Sequence, residues 1–146
     1  MKKIVLTMIL AAAGTFVFAQ EYKIITTVES IVPMGIGRSR LTDPQQNADY
    51  KELTTARVDG KKSDMEDVKR GDIKIDNFEE TKLLNFYSAA GINFQNIASN
   101  DAVVSSKLTE MAKEGWILVF VTSGVESDAG KQDGNGIFIT RYVFKK

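Results

Sequence analysis

The sequence predicts an α+β fold: a small antiparallel sheet with one main amphipathic helix packed on a face, plus a long charged insertion. Three observations carry the prediction. From Asp101 to Glu114 the apolar residues Val104, Leu108, Met111 and Ala112 recur at helical spacing, while Ser105, Lys107, Thr109, Glu110, Lys113 and Glu114 turn away. Trp116 to Val121 is apolar at every position, the pattern of a strand covered on both faces, which places it in the sheet centre. Tyr22 to Val32 and Ile137 to Phe144 alternate with a period of two, as half-buried strands do.

Taken in order, residues 1–19 read as a signal peptide. Lys2 and Lys3 form a cationic start, Ile4 to Ala13 an apolar stretch, and Val17 and Ala19 sit where signal peptidase requires small residues. The expected working form is a single α+β domain, residues 20–146, in the periplasm or outside the cell, with no transmembrane segment. In the first strand Tyr22, Ile24, Thr26 and Val28 share one face and Lys23, Ile25, Thr27 and Glu29 the other. Pro33, Gly35 and Gly37 end it. Tyr50 to Val58 is expected to form a short strand, followed by a turn at Asp59-Gly60.

Residues 57–82 hold seven basic and eight acidic side chains in 26 positions, the signature of a solvated excursion from the core. Within it Asp72 to Asp76 alternates like an exposed edge strand. Glu79 to Ala90 has Leu83, Tyr87 and Ala90 at helical spacing and Gly91 at a cap position, although Lys82 to Ser88 fits a strand equally well. Gly91 to Ile97 is expected to be extended. Ser99, Asn100 and Asp101 supply the side chains that start the main helix. Gly115 fits the left-handed cap after it, folding Trp116 back onto Met111.

Composition excludes more than it assigns. The chain has no cysteine and no histidine, which rules out thiol catalysis, Ser-His-Asp triads and imidazole-ligated or thiolate-ligated metals. Without residues 1–19 it carries 17 basic and 19 acidic residues, a net charge of −2, so nucleic acid is not an expected partner.

The opening Tyr22-Lys23-Ile24-Ile25, the run Met111-Ala112-Lys113-Glu114-Gly115-Trp116-Ile117-Leu118 and the closing Phe138-Ile139-Thr140-Arg141-Tyr142 together resemble the domain of unknown function 4177 family. The likeness covers residues 21–30 and 100–144 and leaves out the middle of the chain. As a whole the sequence resembles exported proteins of Bacteroidota, in which Phe18-Ala19-Gln20 is a familiar cleavage style. The resemblance implies a compact unit of strand, helix and two further strands, and no activity.

Three segments offer candidate ligand chemistry. Gly35 to Arg40 sets accessible amides beside Arg38 and Arg40, whose guanidinium groups suit an anion. Asn93 and Asn96 lie in an alternating amide and apolar run, able to recognise a polar ligand or to satisfy backbone groups. Glu126, Asp128 and Asp133 are the oxygen donors of the loop before the last strand, but their spacing is not that of a calcium loop and Lys131 lies among them, so no metal is expected. No cofactor is indicated. The expected function is a binding or interaction module for an envelope component or another protein, of unread oligomeric state. A carboxylate-dependent hydrolase and a calcium-stabilised structural domain are the alternatives.

Overall fold

The computed structural model describes residues 20–30, 39–60, 63–88, 90–125 and 136–146. Residues 1–19, Arg38, and the loop bearing Glu126, Asp128 and Asp133 lie outside them.

Strand β1 (Tyr22–Ser30) pairs antiparallel with β2 (Arg40–Pro44) on one side and with β7 (Ile137–Lys145) on the other. Strand β3 (Phe78–Lys82) extends the sheet beyond β2, and β6 (Ile117–Val125) extends it beyond β7, giving the order β3-β2-β1-β7-β6. Between β3 and β6 come a small hairpin, β4 (Tyr87–Ser88) with β5 (Gly91–Ile92), and a 20-residue helix (Phe94–Lys113). A single helical turn, α1 (Arg70–Ile73), precedes β3, so the main helix is α2.

The period-two pattern of β1 sorts its side chains as expected. Ile25 and Thr27 are buried beneath α2, opposite Tyr142 and Thr140 of β7, while Ile24 is exposed on the other face, opposite Val143. The buried apolar core is Ile25, Leu41, Leu83, Met111 and Phe144, with Val103, Val104, Leu108, Trp116 and Tyr142 packed around it. Helix α2 closes with Gly115 at φ +89°. Trp116 N–H reaches Met111 O and Gly115 N–H reaches Ala112 O, each at 3.0 Å, the paired bonds that a left-handed cap makes.

Several elements depart from expectation. The main helix starts at Phe94, capped by Asn93, whose Oδ1 accepts from Asn96 N–H at 3.1 Å. Asn100, expected at the helix start, is instead a mid-helix residue only 2% exposed. The run from Gly91 to Ile97 is therefore extended only through β5 and Asn93. Glu79 to Ala90 is not a helix, because residues 79–82 pair with β2 across a full register from Asp43↔Glu79 to Arg40↔Lys82. Tyr50 to Val58 is not a strand: Asp49 accepts from Lys51 N–H, and successive i→i+3 bonds wind 49–54 into turns. Asp72 to Asp76 is not an edge strand either, since its first residues close α1. Residues 57–82 include no buried side chain among those described, but the charged run is not an excursion to its end, since its last five residues, all exposed, form β3 of the main sheet.

The largest correction concerns β6. It lies at the sheet edge, not the centre, and all nine of its residues are exposed. The reason is topological. Strand β7 uses one side for β1 and the other for its hairpin partner, and β1 in turn is sandwiched between β7 and β2, so nothing remains to pair with the outer side of β6 among the described residues.

Candidate functional site

The two edges of one sheet are chemically opposite. Strand β3 bears Glu79, Glu80 and Lys82. Arg40 of the neighbouring strand grips both carboxylate oxygens of Glu80 at 2.6 and 2.7 Å. Charged side chains along an edge discourage a further strand from docking. Strand β6 has no charged residue from Ile117 to Val125 and exposes Ile117, Leu118, Val119, Phe120, Val121 and Val125, with Phe120 at 61%. A long, apolar, unguarded edge is a template for strand addition.

A bulge at Val119 shapes this edge. Leu118 lies opposite Phe144, but Phe120 lies opposite Val143, so one extra residue is inserted and the facing pattern is reset. From Phe120 to Val125 the pairing with β7 is regular. Leu118, Val121, Ser123 and Val125 share the face of α2, whereas Phe120, Thr122 and Gly124 share the open face. On that open face Ile24, Val143 and Phe120 stand in one cross-strand row, continuous with the edge.

A buried charge cluster fixes the opposite half of the sheet. Asp43 is 1% exposed, with Lys23 Nζ 2.8 Å from one oxygen and Lys107 Nζ 3.1 Å from the other. Both ammonium groups lie within ion-pair distance, and their charge compensates the buried carboxylate. Burial pulls the Lys107 ammonium down, but Asp43 and Glu110 outweigh it and raise it above the ordinary lysine value. Burial also raises the Tyr142 hydroxyl, against a hydrogen bond with Thr27, and the charges of Glu29 and Asp101 add to the rise. The cluster ties α2 to β1 and β2, and its carboxylate is out of a substrate's reach.

The candidates named from sequence fall elsewhere. Arg40 is engaged with Glu80 on the open face of β2. Asn93 caps α2, and Asn96 Nδ2 donates to Asn85 O at 2.7 Å, so both serve the backbone. Among the described residues no group of three or more carboxylates converges as a metal site. An open cleft of about 330 Å³ is lined by Tyr22, Trp116, Gln45, Gln46 and Asn47 with Glu21 as its one carboxylate, and Lys146 Nζ stands 5.6 Å above the Trp116 ring.

The apolar edge was missed in sequence because an uninterrupted apolar run signals burial on both faces, and only strand order distinguishes a central ribbon from an outer one. No family model, curated protein or solved structure matches the chain.

Proposed function

We propose that this chain is an exported, non-catalytic interaction module that recognises its partner by adding a strand to β6. The single observation that carries this reading is the contrast between two exposed edges, β3 guarded by charge and β6 uncharged and apolar. Backbone groups on the free side of β6 supply the affinity of such a contact, and the side chains at alternate positions select the partner. The leader-like residues 1–19 and the absence of cysteine and histidine fit a module that acts by contact in the envelope or medium.

The test is photo-crosslinking in the exporting host, with benzoylphenylalanine placed at Phe120 and, as control, at Phe94, which is more exposed but lies at the start of α2. A discrete product from Phe120 and none from Phe94 is expected. No product from Phe120, or equal products from both positions, overturns the reading.

A further inference from the structure

We propose that the strand added to β6 is the same strand of a second copy, related by a two-fold axis perpendicular to the sheet at Thr122. This rests on β6 being the contact element and names what it contacts.

Symmetry narrows the register. In an antiparallel pair, directly opposite residues share a sheet face, and an axis perpendicular to the sheet keeps faces matched between copies. The axis must then pass through a residue, so that partners have the same parity. The bulge at Val119 leaves Phe120 to Val125 as the regular stretch. Centring on Thr122 uses that stretch and places Phe120 opposite Gly124, Val121 opposite Ser123 and Thr122 opposite itself. Each pair is favourable: an aromatic ring covers the glycine across from it, the bulky valine meets a small hydroxyl residue, and threonines pair well across strands.

Charge agrees. With no charged residue in β6, two copies bring no like charges face to face, whereas self-pairing of β3 would crowd Glu79 and Glu80. The six large apolar residues of β6 are 41–61% exposed, and pairing two such edges covers apolar side-chain area together with the outward backbone groups. A standard interface uses about 800 Å² per partner. An edge pairing of this kind is at the small end of the range for such interfaces, and Val125, on the α2 face of each copy, flanks the new ladder.

Analytical ultracentrifugation of the purified exported protein tests the inference. The expected result is twice the protomer mass, falling to the protomer mass in Val121→Lys with an unchanged far-ultraviolet circular-dichroism spectrum. Ser123→Lys serves if Val121→Lys fails to fold. Because the chain has no cysteine, Thr122→Cys gives a single thiol. At the axis, Cα atoms ~4.5–5.5 Å apart allow a disulfide, so mild oxidation should crosslink Thr122→Cys and not Phe120→Cys, whose copies stand ~13 Å apart along the strand. A wild-type monomer at every concentration, a dimer that persists in the lysine variants, or preferential crosslinking of Phe120→Cys overturns the proposal. If the protein is monomeric and Phe120 still crosslinks to a different protein, only self-pairing fails. If Phe120 crosslinks to nothing, the role of β6 fails with it.

Discussion

Asn100 holds both backbone groups of Leu84: its Nδ2 donates to Leu84 O at 2.7 Å and its Oδ1 accepts from Leu84 N–H at 2.8 Å. An amide side chain on α2 thereby imitates a neighbouring strand for a segment that has left the sheet after β3. The same Nδ2 also donates to Glu29 Oε1 at 2.8 Å, which ties β1 into the arrangement. Replacing Asn100 by alanine leaves two backbone groups and one carboxylate oxygen without this partner. At about 1 kcal/mol per net hydrogen bond, and more for a group left unpaired, the loss is about 2–3 kcal/mol. Urea unfolding should show a lower midpoint, with the Leu84 amide exchanging faster than in the wild type. An unchanged midpoint would show that the clamp adds nothing to stability.

Stability should decline in alkali before it does so for ordinary reasons of net charge. Lys107 is held above the ordinary lysine value of 10.5 and Tyr142 above the ordinary tyrosine value of 10.0. For both, the folded protein keeps a proton that the unfolded chain releases. Their contributions are present in full below about pH 10 and fade as pH rises through the folded values. The melting temperature of the wild type should therefore drop above pH 10. In the double variant Lys107→Met/Tyr142→Phe the drop should be shallower. Equal slopes in the two proteins would reject the assignment.

The closure of α2 was readable in advance because it depends on local chemistry alone. Gly115 and Trp116 fulfil a backbone pattern that needs no distant partner. The start of α2 was not readable in the same way. Asn93 and Asn100 are equally good caps in isolation, and what selects Asn93 is the need of Leu84, sixteen residues before Asn100, for a hydrogen-bonding partner inside the fold. The alternation of β1 identified its two faces correctly, since a face is a property of one strand. The position of β6 depends on which strands flank it, and the chain between Ser30 and Phe94 sets that without leaving a mark on residues 117–125. Asn93 and Asn96 proved to serve backbone groups for the same reason that amides recur near helix starts.

Gly115→Ala should destabilise through conformation, not crowding. The added methyl would meet Lys146 Cε at 3.6 Å, an ordinary contact. The φ of +89° is the difficulty, because a side chain strains the backbone in this region. A cost of about 1–2 kcal/mol is expected in chemical denaturation. Gly71→Ala, at a position with open space and no left-handed backbone, is the control and should change stability little.

Asp43 should matter more to folding than either of its lysines. Its carboxylate is buried, whereas Lys23 and Lys107 retain 21% and 16% side-chain exposure and can turn their ammonium groups to water. Removing Lys107 leaves the carboxylate still compensated by Lys23, so Lys107→Met should cost about 1–2 kcal/mol, less than the full loss of a partner. Removing Lys23 is equivalent by the same reasoning. Removing both strands an unpaired charge under α2, and the double variant Lys23→Met/Lys107→Met should lose more than the sum of the single losses, by about 1 kcal/mol or more. Adding Asp43→Leu to that double variant should restore much of the loss, since the site then contains no charge to compensate and α2 can close over apolar side chains. Additive single losses, or a triple variant no more stable than the double, would mean that the three charges do not act as a unit.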